Sequence, residues 1–433
     1  MVIERTRYLN MLINKRKNGR VKIVTGIRRC GKSFLLFELY HKYLLSEGVS
    51  EQEIIELQLD DITNAKYQNP FELDAYIREL ISDVNRFYYV FIDEIQRVYT
   101  VQNPYVDVPD AKIGFVDVVL GLLKLKHVDL YISGSNSKML SSDIHTDFKD
   151  RGTEIKVNPL TYQEFHTAFQ GDERYAWDEY VTYGGMPYAV LLEDHEEKSH
   201  YLKDLFEKTY LSDVKERYKI GNDISVLDAL LDYSASAVGS LTNAYKLSNT
   251  FRSVTQTSIK PETISRYLEY FQDAYILRKA LRYDVKGRKY IGTPYKYYFT
   301  DVGLRNARLN FRQSEENHIM ENIIYNELIV RGYDVDVGVV ETSITTDEGK
   351  KIRTQHEIDF VASKGSQRYY LQSAFSLATE EKRQQEILSL IRVPDSFRKI
   401  VIIKDRIVPK HDDQGILYLG IEQFLLEEAS MDL

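Results

Sequence analysis

The chain has a single cysteine, Cys30, no long apolar run, no surplus of positive charge and no internal repeat. One thiol excludes an internal disulfide and a cysteine-based zinc site, and it suits a cytoplasmic protein. A transmembrane helix needs about 20 consecutive apolar residues. No such run is present, so no membrane is expected as a partner. The start, MVIERTRYLN, lacks the apolar stretch of a signal peptide. The net charge of −8 argues against bulk nucleic-acid binding, so any DNA contact must use a local patch. With 43% hydrophobic and 28% charged residues, the composition is that of a globular protein. Its 433 residues are enough for several domains.

Residues 26–33 read GIRRCGKS, an unbroken G-x-x-x-x-G-K-[ST]. Gly26 and Gly31 let backbone N–H groups close around an anion, and the loop then opens a helix whose N-terminus favours negative charge. The context fits. VKIVTG (21–26) is apolar, β-branched and ends in glycine, as a buried strand does. FLLFELYHKYLL (34–45) follows with helical spacing. The pattern places Lys32 on the β- and γ-phosphates of ATP and the Ser33 hydroxyl on Mg²⁺. Arg28, Arg29, Cys30 and Phe34 complete the expected nucleotide-binding stretch. Arg28 and Arg29 reach either phosphate or solvent. Cys30 is either a reactive thiol at a positive helix end or a thiol packed inward.

A second apolar run, YYVFIDEIQ, ends in Asp93 and Glu94. Ligands of parallel α/β sheets sit beyond the C-terminal strand ends. Asp93 is therefore placed to hold Mg²⁺, directly or through water, and Glu94 to activate the attacking water, unless the pair is a helix N-cap. A third run, VDLYISGSNSKML (128–140), turns polar at its tip. There Ser135 or Asn136 orients the lytic water or senses the γ-phosphate, unless the tip is an ordinary strand-to-helix turn.

The chain divides into four expected parts: a P-loop α/β core with a parallel sheet (1–160), a helical lid (161–235), a winged-helix segment (236–309) and a nuclease-like α/β domain (310–433). A small helical lid after a P-loop core is the layout of AAA+ ATPases. Residues 236–305 read as helix, turn, helix, hairpin, with Pro261 in a first helical turn and the hairpin turning at Lys286-Gly287-Arg288. Arg278, Lys279, Arg282, Lys286, Arg288 and Lys289 cluster there around one acid, Asp284. This is either a wing that touches DNA phosphates or a solvated basic hairpin of a protein-binding module.

The last part runs helix, then strands, in the order of the restriction-endonuclease-like fold. That fold uses a helical Glu, a strand Asp and then (Asp/Glu)-x-Lys. Glu321 and Asp359 take the first two places, but Gln372-Ser373-Ala374 stands where the third motif belongs. The acid has become an amide and the lysine is absent. The group that would position the attacking water is missing, so a nuclease fold kept for binding is expected.

Taken together, TGIRRCGKS, VFIDEIQ, SGSNSKML, NPLTYQEF, YGGMP, YLSDVKERYKI, ENIIYNEL and EIDFVA followed by LQSAFSL resemble a large family of bacterial and archaeal AAA+-type ATPases. These have a C-terminal uncharacterised domain resembling a winged helix plus a degenerate nuclease fold. The resemblance implies ATP binding and Mg²⁺-dependent hydrolysis. It leaves the oligomeric state and the partner, DNA or protein, open. Relatives carry a Gly-Arg pair before the NPL string, where this chain has Arg151-Gly152. The expected function is an ATPase that couples nucleotide state to the C-terminal half. The alternatives are a slowly hydrolysing nucleotide-switched binding module and an ATP-regulated nuclease.

Overall fold

The computed structural model describes residues 2–433 apart from 109, 136–147, 149–150, 221–223, 255–257, 313–314, 346–350 and 378. By its packing the chain divides into two units, one of Met1–Pro159 with Asp273–Tyr275 and one of Leu160–Gln272 with Ile276–Leu433.

The first unit carries β1 (Val21–Thr25), β2 (Ile54–Gln58), β3 (Tyr88–Asp93), β4 (Val101–Gln102), β5 (Lys112–Ile113), β6 (Val128–Ser133) and β7 (Gly152–Lys156). Five of these form a sheet in the order β2-β3-β6-β1-β7, and every pairing is parallel. Parallel strands are covered on both faces and so read as unbroken apolar runs. VKIVT and YYVFID are accordingly buried along their whole length. Ile23, Val90 and Ile132 pack with Leu73 and Ile77 of helix Pro70–Leu80 and with Val119 and Leu122 of helix Phe115–Leu122. Helix Pro70–Leu80 starts where its sequence says it should. Pro70 stands in the first turn, and the Asn69 side chain accepts from Phe71 N–H.

Lys22 is the charged exception inside β1. It is fully buried against Asp129 of β6, which also accepts from Tyr131 Oη at 2.7 Å. A buried ion pair holds only when its remaining lone pairs are also satisfied. β6 lies between β1 and β3, so its tip at Gly134-Ser135 falls between the loop after β1 and the acids ending β3.

The second unit begins with helices, as the 161–235 pattern predicts. Helix Tyr162–Ala168 opens on a reciprocal cap between Thr161 and Glu164. The YGGMP string has a packing cause. Gly184 has φ 69°, and a Cβ there would stand 2.4 Å from Asp301 Oδ1. A Cβ on Gly185 would stand 2.1 Å from Leu160 O. The close approach lets Gly185 N–H donate to Asp301 at 2.6 Å and Leu160 N–H donate to Gly185 O at 2.7 Å. Burial pushes the Asp301 carboxyl up to about 6, against the pull of backbone N–H donors from Gly185, Leu304 and Gly303.

Next come helices Ile224–Ser236, Ala244–Val254 and Pro261–Asp273, then β8 (Leu277–Asp284) and β9 (Lys289–Phe299). Thr242, between the first two helices, exchanges two 2.8 Å backbone hydrogen bonds with Tyr295 of β9. Two helices followed by the hairpin are present in the expected order, the joining residues 255–257 lying outside the described ones.

The hairpin is not a free wing, however. β8 pairs in parallel with β10 (Asp334–Thr345), Arg282 opposite Val337. It thereby joins one eight-stranded sheet with β11 (Lys351–Lys364), β12 (Gln367–Ala374), β13 (Arg398–Ile403), β14 (Lys410–His411) and β15 (Leu417–Gly420), in the order β14-β15-β13-β12-β11-β10-β8-β9. A boundary at 309/310 would cut this sheet. The basic cluster also shrinks. Arg278 and Arg282 are buried, and Lys279 lies 3.8 Å over the Tyr295 ring. Lys286, Arg288 and Lys289 are the exposed remainder. Among the described residues, no helix is long and apolar enough to cross a membrane.

Candidate active site

The loop after β1 is shaped by three left-handed residues. Gly26 has φ 141°, Arg29 φ 60° and Gly31 φ 95°. A Cβ on Gly26 would stand 2.1 Å from Val157 O, so only glycine lets β7 approach this closely. The buried Lys32 ammonium donates to Gly26 O and Ile27 O, both at 3.1 Å. An ammonium has three donors, and these contacts use two. Ser33 follows in the first helical turn.

At the end of β3, Asp93 is buried and accepts from Ser133 Oγ and, at 3.1 Å, from Glu94 N–H. Glu94 is a non-glycine residue at φ 52°. Such strain persists where the surroundings hold a residue in a functional pose. Gln96 Nε2 donates to Glu94 Oε2, and Ser135 Oγ lies 3.5 Å from the same oxygen. Burial pushes the Glu94 carboxyl above its usual range, while the positive charges of Lys32 and Arg28 pull it back. A carboxylate tuned upward beside fixed positive charge is suited to take a proton near neutral pH. Ser33 and Asp93 offer hard oxygen donors, the kind that suits Mg²⁺.

Residues 18–166 match the model of an AAA domain, and residues 174–315 match a domain of unknown function, DUF8612. An uncharacterized protein of Haemophilus influenzae is 30% identical over 98% of this chain and 99% of its own length. An uncharacterized protein of Methanocaldococcus jannaschii is 26% identical over 89% of this chain and 80% of its own. A Walker-type ATPase of Pyrococcus abyssi is similar in structure, with a TM-score of 0.49 and 15% identity, over 71% of this chain and 96% of that one. The chain belongs to a family of P-loop ATPases with an AAA domain.

In this chain the loop also has a support that the sequence pattern does not reveal. Arg5, buried just before helix Thr6–Asn14, donates to Cys30 O at 2.9 Å and to Asn158 O at 2.7 Å. Its guanidinium lies 4.8 Å from the Tyr8 ring centroid, and Tyr8 Oη accepts from Asn158 N–H at 3.1 Å. Gln96, the last residue of VFIDEIQ, is a second such support, here for Glu94. Tyr275, packed within the first unit, lies 4.9 Å from the Lys156 ammonium and shares a hydrogen bond with Thr25, the last residue before the loop.

The remaining expected residues divide. Arg28 is half-buried with its charge felt at Glu94, whereas Arg29 and Phe34 are exposed. The Cys30 thiol is fully buried, 3.4 Å from Val157 O, which rules for the inward-packed thiol over the reactive one. Asn136 lies outside the described residues. Arg151 precedes β7, whose Gly152 pairs with Val21 at the start of β1. It therefore stands at the opposite end of the sheet from its own phosphate loop. In the second unit Glu321, Asp359 and Gln372 do come together: Gln372 Oε1 lies 3.4 Å from Asp359 N, and Glu321 and Asp359 flank the ammonium of Lys296.

Proposed function

We propose that the chain binds Mg-ATP on loop 26–33 and hydrolyses it with Glu94 as general base. Lys32 and the loop amides hold the phosphates, and Ser33 and Asp93 would hold Mg²⁺, which would neutralise phosphate charge. Gln96 and Ser135 fix the Glu94 carboxylate, so that its proton-accepting oxygen keeps one orientation. The observation that carries this reading is Glu94 itself: strained, raised in proton affinity by burial, and anchored at one oxygen beside the lysine loop. Calorimetry of Mg-ATP with wild type and Lys32→Ala tests it. Wild type should bind and the variant should lose most of its affinity. Equal affinities would remove the phosphate-loop assignment.

The C-terminal half is read as a recognition module that answers to nucleotide state, and a protein partner is favoured over DNA. Two of the six cations expected in the wing are buried. The exposed positions of helix Pro261–Asp273 include Glu262 and Glu269 beside Arg266, which repel phosphate as much as attract it.

A further inference from the structure

Helix Glu316–Val330 and β11 carry Glu321 and Asp359, the two carboxylates at the places where a nuclease-like fold holds a divalent metal, and β11 adds Glu357. Glu321 comes from the helix. Glu357 and Asp359 come from β11, two residues apart and so on one face of the strand. The space between them is filled by a side chain. Lys296 of β9 places its Nζ 2.8 Å from Glu321 Oε1, 2.7 Å from Glu357 Oε1 and 3.9 Å from Asp359 Oδ1. It is 4% exposed.

The rest of the shell serves the same arrangement. Tyr298, two residues on, donates to Glu321 Oε1 at 2.6 Å. Ser373 N–H donates to Asp359 Oδ2 at 2.8 Å. Gln372 donates its amide N–H to Glu386 at 3.3 Å, and its carbonyl oxygen accepts from Asp359 N–H at 3.4 Å. Gly239 lies over Glu321 so closely that a Cβ there would meet both carboxylate oxygens at 3.3 Å. Burial and the neighbouring Glu321 push Asp359 well above the usual carboxylate range. Burial alone would lower Lys296, but the surrounding carboxylates raise it above its ordinary value and keep it charged.

A divalent ion does not fit beside that ammonium. The contacts to Nζ are at hydrogen-bond distance, longer than the roughly 2.0–2.6 Å of metal–oxygen bonds. Among the described residues, no three His, Cys, Asp or Glu side chains are placed to hold a metal. A metal would also bring like charge against a buried cation. We propose that Lys296 takes the position and charge of the metal in this sheet, making the C-terminal half a cation-independent binding platform rather than a nuclease. The inference rests on the nuclease-like order of these strands and not on the ATPase reading.

The test uses the full chain without nucleotide and Mn²⁺ as the probe, followed by calorimetry and thermal melting. Lys296→Met should vacate the position, gain one Mn²⁺ site per chain and melt higher when Mn²⁺ is added. Adding Asp359→Asn to that variant should remove the new site. Lys296→Arg keeps a cation in place and should gain none. If Lys296→Met folds only with Mn²⁺ present, the proposal stands. A folded Lys296→Met with no new site, or an unfolded one that Mn²⁺ does not rescue, overturns it. So does a Mn²⁺ site in wild type that Asp359→Asn abolishes. Because ATP is absent throughout, none of these outcomes bears on hydrolysis at Glu94.

Discussion

Gln96 donates its side-chain amide to Glu94 Oε2, while its own carbonyl oxygen is buried and, among the described residues, unpartnered. A buried acceptor without a donor is costly, at about 1–3 kcal/mol. It is tolerated where an incoming group satisfies it, and a lytic water is such a group. Gln96→Ala should therefore lower kcat by about 100-fold, the low end of a positioned proton-transfer effect. The KM for ATP should stay nearly unchanged, because nothing in the phosphate grip is removed. Steady-state kinetics reads both, and a change confined to KM would assign Gln96 to binding.

Burial raises the proton affinity of Glu94, and Arg28, after Lys32, lowers it through its charge. A base must be deprotonated to act, so activity falls as pH drops through the Glu94 pKa. The acid limb of kcat/KM should lie above the ordinary Glu value of about 4.3. Arg28→Ala removes a term that favours the charged form and should move that limb to higher pH. A pH–rate profile of both proteins checks the sign, and a limb moving to lower pH would contradict it.

Arg5 satisfies two backbone carbonyls that flank the phosphate loop, Cys30 O and Asn158 O. Hydrogen bonds to a charged group contribute roughly 1.5–3 kcal/mol each. Arg5→Ala should destabilise the first unit by about 3 kcal/mol and weaken ATP binding, because the loop loses its brace. Arg5→Lys should recover part of both, since it keeps the charge but loses the planar fork whose two nitrogens reach Cys30 O and Asn158 O separately. Denaturant melts and ATP titrations measure the two effects.

Gly184→Ala should destabilise the second unit by at least about 1–2 kcal/mol, the cost of a left-handed L-residue. The Asp301 oxygen 2.4 Å from the new Cβ adds to this. An ordinary melting temperature for this variant would show that the Gly184–Asp301 approach is loose.

The phosphate loop and the acid pair were legible because their chemistry is written in contiguous residues. GIRRCGKS follows a strand, FIDE ends one, and neither needs a distant partner to be recognised. Arg5 was not legible, because its two acceptors lie 25 and 153 residues away. The pairing of β8 with β10 was hidden for the same reason. A basic hairpin looks alike in sequence whether it stands free or adds a strand to a distant sheet, and only Arg282 opposite Val337 decides. Lys296 was missed because the nuclease pattern places its lysine after the acids, on the next strand. Here it arrives from an earlier strand, through space.

The most direct test of the account is single-turnover hydrolysis by Glu94→Gln, read together with its ATP affinity. The amide keeps the side chain's shape and cannot take a proton. Affinity for Mg-ATP should stay within a few-fold of wild type, and the hydrolysis rate should fall by at least about 100-fold. Hydrolysis at the wild-type rate in a variant that binds ATP normally would contradict the assignment of Glu94 as the base.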